Sequence, residues 1–174
     1  MHRRSLCLLL LVCMLGHADA SGTGDRYTLY LVRHAEKQVD GGDDPGLTDA
    51  GKHRSEQLAR WLAGQGVTDI WSSDYRRSRA TADPLALMQG LEVMLYDPHD
   101  LPALARNLRE NRQNALIVGH SNTTPDLARL LCECFIRDMD DADYDRLIVI
   151  SVSAEATQVK TLSQGALFPA PGDP

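Results

Sequence analysis

The residues best suited to chemistry are two histidines and a cluster of arginines. The run Leu31-Val32-Arg33-His34-Ala35-Glu36-Lys37 turns abruptly from apolar to charged, and the apolar run Ala115 to Val118 stops in the same way at Gly119-His120. A neutral imidazole is available near pH 7 and can attack phosphorus or carry a proton. The third feature is Arg76-Arg77-Ser78-Arg79. Three cations at a helix start oppose the helix dipole, so the arrangement costs stability unless an anion lies nearby. Arginines and free helix-start amides together suit a phosphate. One histidine after a strand is ordinarily a hydrogen-bonded loop residue; the joint pattern is what points to an anion site.

Such groups need elements that carry them to one place. Tyr27 to Val32, Thr68 to Ser72, Leu91 to Tyr96, Ala115 to Val118, Leu147 to Val152 and Thr157 to Leu162 have the composition and length of strands. Helical patterns separate the earlier ones. Thr48 is a suitable N-cap for a helix whose inward face is Leu58, Trp61 and Leu62 and which Gly64 and Gly66 stop. Leu101, Leu104, Ala105 and Leu108 mark another, with Pro102 in its first turn, and Leu127, Leu130, Leu131, Cys134 and Phe135 a further inward face. Alternating strands and helices predict a three-layer α/β/α sandwich with a mostly parallel central sheet, the last two strands being antiparallel. In open sheets of this class ligands bind in the crevice outside the strands' carboxyl ends, which is where both histidines fall. The Asp- and Gly-rich stretch Gln38 to Gly46 reads as an exposed loop over that crevice, and the acidic run Asp138 to Asp145 as a solvated loop.

Residues 1–20 stand apart. His2, Arg3 and Arg4 precede an apolar stretch, Leu6 to Leu15, and Ala18-Asp19-Ala20 has the pattern of a cleavage site, so the segment reads as a signal peptide that exports residues 21–174 as a single domain to the periplasm or outside. The apolar stretch is well short of the roughly 20 residues that span a bilayer, and no stable membrane anchor is expected. Without Arg3, Arg4 and Asp19, the 18 basic and 24 acidic residues become 16 and 23, a net charge of −7. That balance argues against nucleic acid as a partner and requires any phosphate attraction to come from a local arginine cluster. Only Cys132 and Cys134 would remain after cleavage; on a continuous helix they point in different directions, so the favoured reading is two small apolar residues near a helix end rather than a bridge.

In order and spacing, Arg33-His34-Ala35-Glu36-Lys37, Leu47-Thr48-x-x-Gly51, Ser72-Ser73-x-Tyr75-x-Arg77-Ser78-x-x-Thr81-Ala82 and Gly119-His120 resemble the histidine phosphatase superfamily, also called phosphoglycerate-mutase-like. The resemblance spans roughly Tyr27 to Val152. It implies that His34 is the nucleophile, that Arg33 and Arg77 hold the phosphoryl group, and that His120 completes the pocket, with no cofactor and no metal. Ser78 stands where relatives usually carry Ala. Arg76 and Arg79 are expected to face solvent or carboxylates, and Lys37 is a further candidate substrate contact. The proton donor for the leaving group is the open position: large acid-phosphatase relatives place a carboxylate directly after the second histidine, where this chain has Ser121, and the acids nearest the mutase-like position are Asp97 and Asp100, of which Asp100 is chosen.

The long insert of a phosphoglycerate mutase lid is missing. The expectation is therefore a compact, metal-independent phosphomonoesterase that acts through a phosphohistidine on a small extracytoplasmic phosphate ester. Two other readings are a phosphate-binding module of the same fold without catalysis and a protein phosphohistidine phosphatase. A zinc hydrolase built on His34, His99 and His120 lacks ligand spacing.

Overall fold

The computed structural model describes residues 26–168; the proposed signal segment and the Pro169 to Pro174 tail lie outside them. Six strands form one sheet in the order β3-β2-β4-β1-β5-β6. They are β1 (Tyr27–Arg33), β2 (Asp69–Ser73), β3 (Val93–Tyr96), β4 (Ala115–Gly119), β5 (Arg146–Val152) and β6 (Thr157–Ser163). The first four run parallel, whereas β5 pairs antiparallel with β1, and β6 with β5.

Alternation within the central strands divides the core. Leu29 and Leu31 of β1 and Ile117 of β4 pack on one face with Leu104, Leu108, Leu127 and Leu131. These come from α3 (Leu101–Asn111) and α4 (Thr123–Cys132). Tyr30, Val32, Leu116 and Val118 face the other way, against Leu58, Leu62 and Leu85. Those residues belong to α1 (Asp49–Leu62) and α2 (Arg76–Gln89). Period-two strands covered by helices on both faces make the expected three layers. A short α5 (Gln164–Leu167) follows β6.

The element ends have identifiable causes. Thr48 caps α1, its Oγ1 accepting from the Gly51 N–H at 3.0 Å. At the end of α2, Gly90 is left-handed at φ 67°, and the Leu91 N–H bonds back to the Ala86 carbonyl. That cap takes Leu91 out of the expected strand, so β3 starts at Val93.

Two expectations fail at the end of α4. The helix stops at Cys132 because Glu133 turns left-handed (φ 53°), its N–H bonding to the Arg129 carbonyl. The turn brings Cys134 back onto Cys132, with Cα atoms 5.1 Å apart, and the two are joined in a disulfide. It also directs Phe135 outward at 89% exposure, so Phe135 and Cys134 are not on the inward face; Ile136 and Met139 are buried instead.

Candidate active site

Sheet register brings the chemical groups together. Arg33 of β1 stands opposite Gly119 of β4, so the next residue on each strand, His34 and His120, emerges at the same level. Their rings lie edge to face with centroids 5.5 Å apart. Ser72 of β2 pairs with Val118, which places Ser73 beside the same strand end. Ser73 Oγ is 2.9 Å from His120 Nε2 and 2.9 Å from Ser78 Oγ. Ser78 therefore sets a buried hydroxyl behind Ser73, the residue in contact with His120.

His34 is 2% exposed, and its backbone N–H donates to the Gly119 carbonyl. Its Nδ1 lies 2.8 Å from the Ala35 carbonyl. A carbonyl only accepts, so Nδ1 carries the proton and Nε2 keeps its lone pair. Ala35 is held in turn, its N–H donating to Thr81 Oγ1. Arg54 grips Glu36 through Nε and Nη2 at 2.7–3.1 Å. Burial pushes the Glu36 carboxyl up, but those hydrogen bonds, a backbone hydrogen bond and the charges of Arg54 and Arg33 together hold the group below its ordinary value. The loop after β1 is thus tied to both α1 and α2.

Glycine is required at two approaches. A Cβ on Gly51, in the first turn of α1, would run into the Glu36 carbonyl. A Cβ on Gly119 would lie 2.9 Å from the hydroxyls of Thr123 and Thr124. Both residues let backbone and side chains close around the histidine loops.

The arginines are buried and incompletely satisfied. The Arg33 side chain is 3% exposed, sits 3.6 Å from Asp141, donates to the Asp140 carbonyl at 3.0 Å and lies over the Tyr144 ring at 4.2 Å. Arg77 lies over the Tyr75 ring at 4.4 Å and 3.5 Å from Asp44. Asp44 also accepts from the Arg76 N–H, supplying part of the negative charge that the basic helix start needs. Nε of both Arg33 and Arg77 is buried without a hydrogen-bond partner. Such donors carry a desolvation cost that an oxyanion can relieve. Arg79 pairs with Asp74 at 2.6 Å, as expected of an arginine outside the site.

These groups face one cavity of about 470 Å³, lined by Arg33, His34, Arg77 and His120, and on its rim by Lys37, Tyr75, His99, Asp141 and Tyr144. Burial, followed by the charges of Arg77 and Arg33, drives the His120 imidazole from 6.5 to about 4. Burial drives His34 to about 3; the bond to Ala35 opposes this, and Arg33, Arg77 and His120 reinforce it. Both rings are neutral at pH 7, chiefly through burial, and the positive field that reinforces this also favours an anion.

Asp100 does not join them. Its carboxylate accepts from the Ala103 N–H at 3.1 Å, capping α3, and it is not a lining residue. Asp97 accepts from the His99 N–H in the preceding turn. An Asp three residues before a free helix-start amide is a capping signal, and that competing demand explains the misplacement. Sequence reasoning passed over Tyr144 and Asp141, which belong to the run taken as a solvated loop. A tyrosine within an acidic stretch was the available hint, since exposed loops seldom need an aromatic ring.

Residues 29–98 match the model of the histidine phosphatase superfamily (branch 1). That match covers less than half of the chain and includes the Arg33-His34 and Arg77 motifs. A relative from Photorhabdus laumondii, described as "Probable phosphoglycerate mutase GpmB", is 34% identical over 73 residues, which is 38% of this chain and 34% of that protein. One from Serratia proteamaculans with the same description is 37% identical over 76 residues, 40% of this chain and 35% of the relative. The chain thus spans little more than a third of these curated relatives. The tungstate complex of the protein histidine phosphatase SixA shares the fold, with TM-score 0.62 at 16% identity, over 81% of this chain and 99% of that one. A phosphoserine phosphatase from Entamoeba histolytica in complex with 3-phosphoglyceric acid superposes with TM-score 0.59 at 14% identity, over 82% of this chain and all of the other. The fold shared with these structures therefore covers more of the chain than the segment that the family model matches.

Proposed function

We propose that the protein is a phosphomonoesterase that transfers a phosphoryl group from a small ester to His34 and then to water. The observation that carries this reading is the fixed tautomer of His34: the Ala35 carbonyl takes the Nδ1 proton and leaves the Nε2 lone pair beside two buried guanidiniums. In the first step Nε2 attacks phosphorus, the N–P bond forms, and the ester P–O bond breaks as the alkoxide takes up a proton. In the second, water attacks the phosphoryl group, the N–P bond breaks, and His34 recovers its lone pair.

Arg33 and Arg77 hold the non-bridging oxygens, and their charge serves where a metal ion otherwise would. Ser73 orients His120 toward the same oxygens. The bound phosphate brings negative charge to a site in which burial, reinforced by the guanidiniums, holds both imidazoles neutral. The pattern of residues 1–20 supports action outside the cytoplasm, on a small extracytoplasmic ester.

The test is trapping with a ³²P-labelled aryl phosphate, quenched in alkaline SDS. An acid-labile, alkali-stable phosphoenzyme is expected on the wild type and not on His34→Ala, which should lose at least about 10³-fold in turnover. Binding of phosphate without any phosphoenzyme would leave a binding module of the same fold in its place.

A further inference from the structure

Resting on the phosphatase reading, we infer that Asp141 is the proton donor to the leaving group, delivered to the site by Ser121 from the loop between α4 and β5. Ser121 directly follows His120, and its Oγ donates to Asp141 Oδ1 at 3.0 Å. Asp141 therefore sets a carboxylate beside the residue after the second histidine, although position 121 itself carries none. The same carboxylate stands 3.6 Å from Arg33 Nη2 and is a lining residue of the cavity. Its side chain is 93% exposed, so it sits at the rim, on the side by which an ester's alcohol portion must lie when the phosphoryl group is deep against His34 and the arginines.

The other rim candidates fit less well. Lys37 lines the cavity from the bridge that pairs it with Leu47, and His99 is exposed in the turn before α3. Among the described residues lining the cavity, Asp141 is the carboxylate, and it is tied both to Arg33 and to Ser121 beside the second histidine.

The proton balance closes without a further reactant. A phosphate monoester has a second ionisation near pH about 6, so part of it arrives as the monoanion. The two guanidiniums favour the dianion, and the released proton passes to the Asp141 carboxylate. As the N–P bond forms and the ester P–O bond breaks, Asp141 gives that proton to the departing oxygen. In the second step the Asp141 carboxylate takes a proton from the attacking water.

A leaving-group series tests the role. Asp141→Asn should reduce kcat/KM for glycerol phosphate, whose alkoxide leaves poorly, by about 10²–10⁴-fold, while p-nitrophenyl phosphate falls less than about tenfold. Ser121→Ala should show the same bias at smaller size, and Asp141→Glu should restore part of the glycerol phosphate rate. His99→Gln should reduce both substrates alike or neither. An equal loss on both substrates in Asp141→Asn, no loss on either, or the bias appearing in His99→Gln instead would overturn the assignment while leaving the phosphoenzyme intact. A wild type that forms no phosphohistidine would overturn the underlying reading and this role with it.

Discussion

Two cavities of nearly equal volume open at opposite ends of the sheet, and they differ in almost everything else. The one at the carboxyl ends of β1 and β4, about 470 Å³, gathers two buried guanidiniums and two imidazoles held neutral. The one at the far end, about 490 Å³, is lined by Arg26, Tyr27, Asn114, Ser151 and Glu155 among others. Its charged pair, Arg26 and Glu155, is 4.0 Å apart and more than 70% exposed on both sides. An exposed pair of that kind contributes little and is free to satisfy itself with water. Volume therefore does not distinguish the two. What does is the convergence of buried groups whose hydrogen bonding the protein leaves unfinished, as at Nε of Arg33 and Arg77.

The contrast can be broken most directly with paired arginine variants. Arg77→Ala should reduce kcat/KM for p-nitrophenyl phosphate by about 10²–10³-fold, the scale of losing a preorganised donor to the transition state. Arg26→Ala should change it less than about twofold, since its charge is solvated. Comparable losses in steady-state assays would show that the far cavity takes part in turnover.

The pH dependence of stability sharpens the comparison at intermediate size. Folded His34 and His120 titrate at about 3 and about 4, below the ordinary 6.5, so between these limits the unfolded chain binds more protons. Stability from this source is complete above pH about 6.5 and is lost as pH falls toward 4, with a slope approaching about 1.4 kcal/mol per pH unit for each ring. Urea unfolding from pH 7 to 4 should show a shallower decline in His34→Ala. Unchanged slopes would mean that the rings are not held neutral. The smallest effect belongs to the disulfide, remote from the chemistry. Replacing Cys132 and Cys134 by Ser should cost about 1–2 kcal/mol, the chain-entropy value for so short a loop, with phosphatase activity little altered.

The same division explains what could be read from the amino-acid order. His34, His120 and Arg77 were legible because a strand end fixes a side chain's position to within a residue, and β1, β2 and β4 are adjacent. The three layers followed from strands and helices that alternate along the chain, with apolar runs such as Leu29 to Val32 and Leu116 to Val118 buried on both faces. Asp100 was misread because capping a helix and donating a proton ask for the same residue type. Asp141 and Tyr144 were hidden for a different reason. They reach the site through a loop whose path depends on the left-handed turn at Glu133, the Cys132–Cys134 bridge and the hold of Arg129 on Asp138 and the Ile136 carbonyl. None of these has a periodicity.

The close approach of Gly51 to the Glu36 carbonyl has a consequence for how this chain can vary. Here a methyl group would displace the backbone two residues beyond His34. A helix remote in sequence thus holds a veto over the reaction centre through an atom that is not there. Drift at residue 51 would silence the protein while leaving it folded, and a chain of otherwise similar order with alanine at this place is one in which to look for lost activity.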